Sequence, residues 1–245
     1  MKIKKTLNYF SLTEKLLWSF SVLAIIVSFL LFDKENYLTL IASIIGVTSL
    51  IFCAKGNPFG QILMVIFAII YSVISYSFQY FGEMVTYLGM TLPMAIFSLI
   101  VWLKNPFKEN HSEVSVNRIT LRETIFMIIL NSFVTFVFYY VLDYFNTTNL
   151  IPSTISVATS FFAAYLTFRR NPYFALAYAT NDIVLIVLWV LASLKEVSYI
   201  SVVICFVVFL INDLYAFISW IKMQKRQEKA LKNLLEYWHI ILLEI

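Results

Sequence analysis

Apolar runs of roughly 18–22 residues recur along the whole chain, the length an α-helix needs to cross the hydrocarbon core of a bilayer. Eight are legible: about 15–32, 37–54, 60–79, 82–103, 122–142, 151–168, 173–194 and 198–221. A backbone in lipid must satisfy its own hydrogen bonds, so the expected fold is all-α, an eight-helix integral membrane protein. The charged stretch 104–122 separates the first four spans from the last four, and no soluble domain fits anywhere. The chain is 61% hydrophobic and 13% charged. Cys53 and Cys205 both fall inside apolar runs and read as buried small side chains. The basic N-terminus MKIKKTLNYF is not followed by a small-residue cleavage site, so no removable signal peptide is expected.

Of the 18 lysines and arginines, all but Lys34 and Lys195 fall on one side of this topology. By the positive-inside rule both termini are expected in the cytoplasm. The net charge of +4 is therefore a topology signal and not a nucleic-acid footprint. The last stretch, QEKALKNLLEYWHIILLEI, places Leu231, Leu234, Leu235, Trp238 and Leu242 on one helical stripe. It is expected on the inner membrane surface, or packed on the bundle.

Two parts of the chain resemble each other. IIGVTSLI (44–51) matches ISVATSFF (155–162), Asn57-Pro58 matches Asn171-Pro172, and Trp102-Leu103-Lys104 matches Trp220-Ile221-Lys222. The matches keep their order and map spans two to four onto spans six to eight. This predicts a parallel three-plus-one-plus-three repeat with one extra N-terminal helix, an arrangement found in transporters. The expected divisions are 1–36 (N-terminal segment and extra helix), 37–103 (first repeat), 104–142 (loop and linker helix), 143–222 (second repeat) and 223–245 (amphipathic tail).

Asn181-Asp182 and Asn212-Asp213 lie near mid-depth of spans seven and eight. A carboxylate there costs about 3 kcal/mol on insertion scales, so such residues line cavities, pair with one another or carry protons. Two readings stand: a binding site for a neutral hydroxylated ligand, which Asn and Asp suit, or polar glue between helices. Weaker polar candidates are Tyr71, Ser72, Ser75, Tyr76, Gln79 and Tyr80 in and after span three, Thr86, Thr91 and Pro93 in span four, and Asn131 and Thr135 in span five. Pro93 is placed to kink its helix and free a carbonyl. No GxxxxGKS/T, HExxH or GxSxG motif occurs, and His111 and His239 lie outside the spans. Neither ATP-driven transport nor an intramembrane enzyme is expected, nor any cofactor or metal.

The stretch YFGEMVTYLGMTLPMAIFSLIVWLKNP (80–106), with Asn181-Asp182 and NDLYAFISWIK (212–222), resembles the PnuC family of bacterial vitamin transporters. Gly82-Glu83-Met84, Pro93 and Trp102 carry most of the resemblance, which spans residues 37–224. It implies the same bundle and a facilitator in the bacterial inner membrane, its substrate trapped inside by a separate kinase, and it suggests a homotrimer. The implied partner is a small nucleoside-like solute: nicotinamide riboside as first expectation, with deoxynucleosides, thiamine or riboflavin as alternatives, and proton coupling through Asp182 or Asp213 as a second mechanism. The nicotinamide riboside branch carries Trp-x-x-Trp early in the penultimate helix. Here that region reads NPYFALAYATND, without tryptophan. The expected substrate-binding set is therefore Asn181, Asp182, Asn212 and Asp213, with Phe174, Tyr178 and Trp189 stacking on the ring and Tyr76 and Gln79 adding polar contacts.

Overall fold

The computed structural model describes residues 9–77, 81–147 and 149–244, with side chains through Asn233. Eight helices are long and apolar enough to cross a membrane. They are α1 (Leu12–Phe32), α2 (Tyr37–Ala54), α3 (Phe59–Ser77), α4 (Phe81–Lys104), α5 (Leu121–Tyr144), α6 (Leu150–Phe168), α7 (Tyr173–Ser193) and α8 (Ile200–Glu244). The spans read from hydropathy recur within a few residues.

Two differences have physical causes. First, α4 is α-helical over Phe81–Thr86 and Leu92–Lys104 but passes through a π turn at Tyr87–Thr91. Pro93 offers no N–H to the carbonyl four residues earlier, and a π turn just before it absorbs the mismatch. Second, the 104–122 segment is not bare loop: Pro106–Phe107 (β1) pairs antiparallel with Asn110–Val114 (β2). This hairpin docks on α8, which continues beyond its span as one helix instead of breaking into a separate tail. Gln227 Nε2 donates to Val114 O (3.0 Å), Val116 N donates to Gln227 Oε1 (2.8 Å), and Arg226 pairs with Glu113. Leu231 of the expected tail stripe is exposed. Leu234, Leu235, Trp238 and Leu242 lie outside the described side chains.

α7 packs mainly on α8 and α6, and α2 on α3 and α8. α1 lies against α2 and α8, while α5 lies against α6 and, through Met90, Leu142 and Phe161, against α4. Local features recur in matched pairs. α2 and α6 both end at a cation, Lys55 and Arg169. Each is followed by a left-handed residue, Gly56 (φ 64°) and Arg170 (φ 56°), and then by an asparagine whose Oδ1 accepts the next helix's N–H. Phe59 N donates to Asn57 at 2.9 Å and Tyr173 N to Asn171 at 3.1 Å. Trp102 Nε1 donates to Thr167 O (2.9 Å), and Trp220 Nε1 donates to Cys53 O (2.8 Å). Each tryptophan closes on the opposite half.

The pairing extends to the helices in front. α1 starts at Ser11, whose Oγ accepts Glu14 N, and α5 starts at Thr120, whose Oγ1 accepts Glu123 N. Glu14 then binds Lys55 (3.1 Å), and Glu123 binds Arg169. We propose that the bundle is two matched halves in which the extra helix and the linker helix are counterparts.

Candidate functional site

All the features just described lie on one face of the bundle, the basic face. The opposite face carries Asp33, Glu35, Glu83, Asp143 and Glu196 beside Lys34 and Lys195. From this acidic face, three neighbouring hollows with shared lining residues descend into the bundle. A mouth of about 450 Å³ lies between the start of α4, the α5–α6 turn and the end of α7. A side cavity of about 260 Å³ reaches Asp33, Tyr71, Ser75 and Tyr199. A narrow inner cavity of about 70 Å³ ends at Thr91, Ser156, Ser160 and Asn181. Glu83 and Trp189 line all three. Close approach at the mouth depends on Gly82, where a Cβ would sit 2.2 Å from Thr147 Oγ1 and 2.8 Å from Leu142.

Asn181 closes the inner cavity. Its Oδ1 accepts from Thr159 Oγ1 (2.7 Å) and Ser156 Oγ (3.2 Å), which points the amide nitrogen away from α6. Asp182 sits one position on, 4% exposed, and Asp213 of α8 is buried beside it at 2%. Asp182 Oδ2 and Asp213 Oδ1 are left without partners.

On the basic-face side of these carboxyls the bundle is plugged by rings. Tyr178 meets Phe174 edge-on (6.3 Å), Phe174 meets Trp220 (4.9 Å), and Trp220 meets Trp102 (5.4 Å). The two tryptophans have no exposed surface. The path is thus open to the acidic face and closed to the basic one.

The structure divides the expected site residues. Asn181 and Trp189 line the path; Asp182 and Asp213 are buried and line none of the three hollows. Phe174 and Tyr178 line none of these hollows: their rings pack on the tryptophan plug. Asn212 is turned toward α1, donating to Ser21 Oγ (2.9 Å) and to Val208 O (2.8 Å). The two Asn-Asp copies therefore split, with Asn181 facing a cavity and Asn212 tying helices together. Tyr76 is 63% exposed on the outside of α3, because one residue turns the helix by about 100° and it is Ser75 that faces inward. Gln79 lies outside the described residues.

Ser75, Thr86 and Thr91, the weaker candidates, do line the cavities, whereas Asn131 lines a separate groove between α5, α6 and α7. Sequence reasoning missed Glu83, Asp33 and Glu196 as cavity residues. Glu83 is a further carboxylate inside a span, hidden as the third residue of its helix. Asp33 and Glu196 sit in turns, where carboxylates read as solvated. Burial raises the Asp33 carboxyl; the Asn36 hydrogen bond opposes this and the Glu35 and Glu196 charges add to it. A groove of about 460 Å³ under the hairpin, beside Arg118 and Glu228, is remote from the path.

A family profile described as "Nicotinamide mononucleotide transporter" matches residues 36–222. The nicotinamide riboside transporter PnuC of Neisseria mucosa is 24% identical over 213 residues, 85% of this chain and 81% of the relative. That of Haemophilus influenzae is 22% identical over 193 residues, 78% and 82% of the two chains. A crystal structure described as "the Vitamin B3 transporter PnuC" superposes with a TM-score of 0.77 at 22% identity, covering 89% of this chain and 94% of that one, and shows that the fold is shared. The chain belongs to the nicotinamide mononucleotide transporter (PnuC) family: it is a membrane transporter and not an enzyme.

Proposed function

We propose that the protein takes up a nucleoside-like vitamin precursor, nicotinamide riboside first, by facilitated diffusion across a bacterial inner membrane. The observation that carries this is the path from the acidic face to Asn181: aromatic at Trp189 and Tyr71, hydroxylated at Ser156, Ser160 and Thr91, and stopped by a ring plug. A planar ring fits the aromatic part, and sugar hydroxyls fit the hydroxyl and amide part.

The mouth carries Glu83 and Glu196 against one lysine, Lys195, a balance that favours a riboside over a mononucleotide's phosphate. The basic face is cytoplasmic in this reading, and both termini with it. Transport then needs the plug to open as the inner cavity closes, the matched halves rocking about Asn181. Net uptake follows from phosphorylation by a separate kinase inside, and assembly as a homotrimer belongs to the same reading. The test is binding to purified protein of nicotinamide riboside, its mononucleotide, thymidine, deoxyadenosine, uridine, thiamine and riboflavin. Nicotinamide riboside alone should bind tightly and lose affinity in Asn181→Ala. Preference for a deoxynucleoside would move the chain to another branch.

The burial of Asp182 and Asp213 side by side, each with an unpartnered oxygen, favours a second reading, proton coupling, since mid-depth carboxyls are what a coupled carrier uses to move protons. Uptake unchanged by collapsing the proton gradient excludes it.

A further inference from the structure

We propose that residues 114–117 form a strap that latches the basic face shut, and that Gln227 of α8 is the clasp that must release the strap before solute can leave. The proposal rests on the transport reading above, in which that face opens in every cycle. The strap follows the β1–β2 hairpin and crosses the end of the bundle on its way to α5. It is bonded to three elements. Val114 N donates to Gly56 O in the α2–α3 turn at 2.8 Å, and the Val114 side chain has no exposed surface. Asn117 N donates to Arg170 O in the α6–α7 turn at 3.0 Å, and Arg170 Nη1 donates back to Ser115 O at 3.2 Å. From α8, the Gln227 amide holds Val114 O and Val116 N, and its Nε2 also donates to Glu113 Oε1 at 3.3 Å, the carboxylate that Arg226 pairs.

The clasp lies in line with the plug. Ala216, Trp220, Met223 and Gln227 form one buried stripe of α8 at helical spacing. Along it, α8 is held to α2 and the turn after it at three successive levels. Trp220 bonds Cys53 O. Met223 lies against Gly56, where a Cβ would sit 3.1 Å from the Met223 methyl carbon. Gln227 reaches Gly56 O through Val114. Opening the plug takes Trp220 away from Cys53, and a strap bonded to both α8 and Gly56 cannot follow both. The Gln227 side is the one that yields. The strap is continuous with α4 and tied back to its end by Ser115 N donating to Asn105 O at 2.8 Å. Among the described residues, α8 holds it through side chains alone. An independent sign of a poised latch lies at the strap's other contact. Asn117 Nδ2 and Arg170 Nε are buried there without acceptors. Buried donors of this kind cost free energy while the strap is down and regain water when it lifts.

The test locks the clasp reversibly. In the full chain with Cys53 and Cys205 replaced by alanine, Glu113→Cys/Arg226→Cys puts two thiols where the strap and α8 are paired, and a bis-methanethiosulfonate joins them through a bond that a reductant cleaves. In reconstituted vesicles the cross-link should slow uptake of labelled nicotinamide riboside at least about tenfold, and reduction should restore it. Binding in detergent should stay within about twofold, because Asn181 is reached from the acidic face. Unchanged uptake by verifiably cross-linked protein overturns the latch and leaves the transport reading standing. If the double variant does not fold, thiol labelling decides instead. In a Met223→Cys chain that keeps Cys205, Gln227→Ala should speed labelling at position 223 about three- to tenfold and leave Cys205 unchanged. Equal acceleration at both thiols is general loosening and overturns the latch, as does no acceleration at position 223. The labelling contrast needs no transported solute. If no nucleoside-like solute enters the vesicles, the transport reading fails, and selective labelling at position 223 still shows the clasp releasing.

Discussion

Replacing Trp220 with phenylalanine breaks the plug where its geometry is best defined. The indole N–H donates to Cys53 O at 2.8 Å. That carbonyl also receives Gly56 N at 2.9 Å, so it is not orphaned, and the lost bond costs about 1 kcal/mol, near the lower end for buried pairs. The smaller ring leaves roughly 40 Å³ empty, worth about 1 kcal/mol more. Trp220→Phe should therefore destabilise by about 2 kcal/mol, a fall of about 4–8 °C in the unfolding midpoint for a chain of this size. Trp102→Phe should match it, because its bond to Thr167 O is also shared, with Arg170 N at 2.9 Å.

The two rings touch at 5.4 Å, so the double variant should fall short of additivity by about 0.5–1.5 kcal/mol. Trp18→Phe is the control: its N–H reaches Thr48 Oγ1 from a 38% exposed ring, and its loss should move the midpoint by about 1 °C or less. Thermal unfolding of the parent and the four variants in one detergent checks this. A Trp220→Phe midpoint within a degree of the parent, or full additivity in the double variant, would refute the claim that the tryptophans lock the two halves.

Asp182→Asn should keep the contact with Asp213, because an amide can donate to a carboxylate, whereas Asp182→Ala should lose about 1–3 kcal/mol by leaving Asp213 buried alone; detergent melts of the two variants decide. Asn181→Ala removes the acceptor for Ser156 and Thr159 and should abolish substrate binding at a stability loss of about 1 kcal/mol; ligand titration beside a melt separates the two effects. Asp33 has a raised carboxyl pKa in the folded protein. It therefore adds stability that is complete below its unfolded value near 3.9 and lost as pH rises through the raised value. The melting midpoint of wild type relative to Asp33→Asn should fall across that window.

The spans were legible because hydropathy over one helix length is a sum over many residues. The proposed matching of the halves was written in outline in Asn57 and Asn171 and in Trp102 and Trp220. What those residues do was not: the tryptophans exchange hydrogen bonds between the halves, and that depends on packing. The proposed pairing of α1 with α5 was written only as Ser11-x-x-Glu14 and Thr120-x-x-Glu123, two short caps among eight helix starts. At the site, mid-depth polarity located Asn181 and Asp182 but could not assign their facing. Asn181 and Asn212 sit in identical dipeptides, yet one faces a cavity and the other faces Ser21. Phe174 and Tyr178 had the right spacing for a stacking pair and stack on protein instead. Glu83, Asp33 and Glu196 meet only because three separate turns converge, which no local pattern encodes.

Uptake by proteoliposomes containing only this protein tests the central claim most directly. With labelled nicotinamide riboside outside, and neither ATP nor a proton gradient present, the internal concentration should rise to the external one and stop there, and Asn181→Ala should abolish the rise. Accumulation above the external concentration on imposing a proton gradient would contradict facilitated diffusion. No uptake by folded protein would contradict nicotinamide riboside as the substrate.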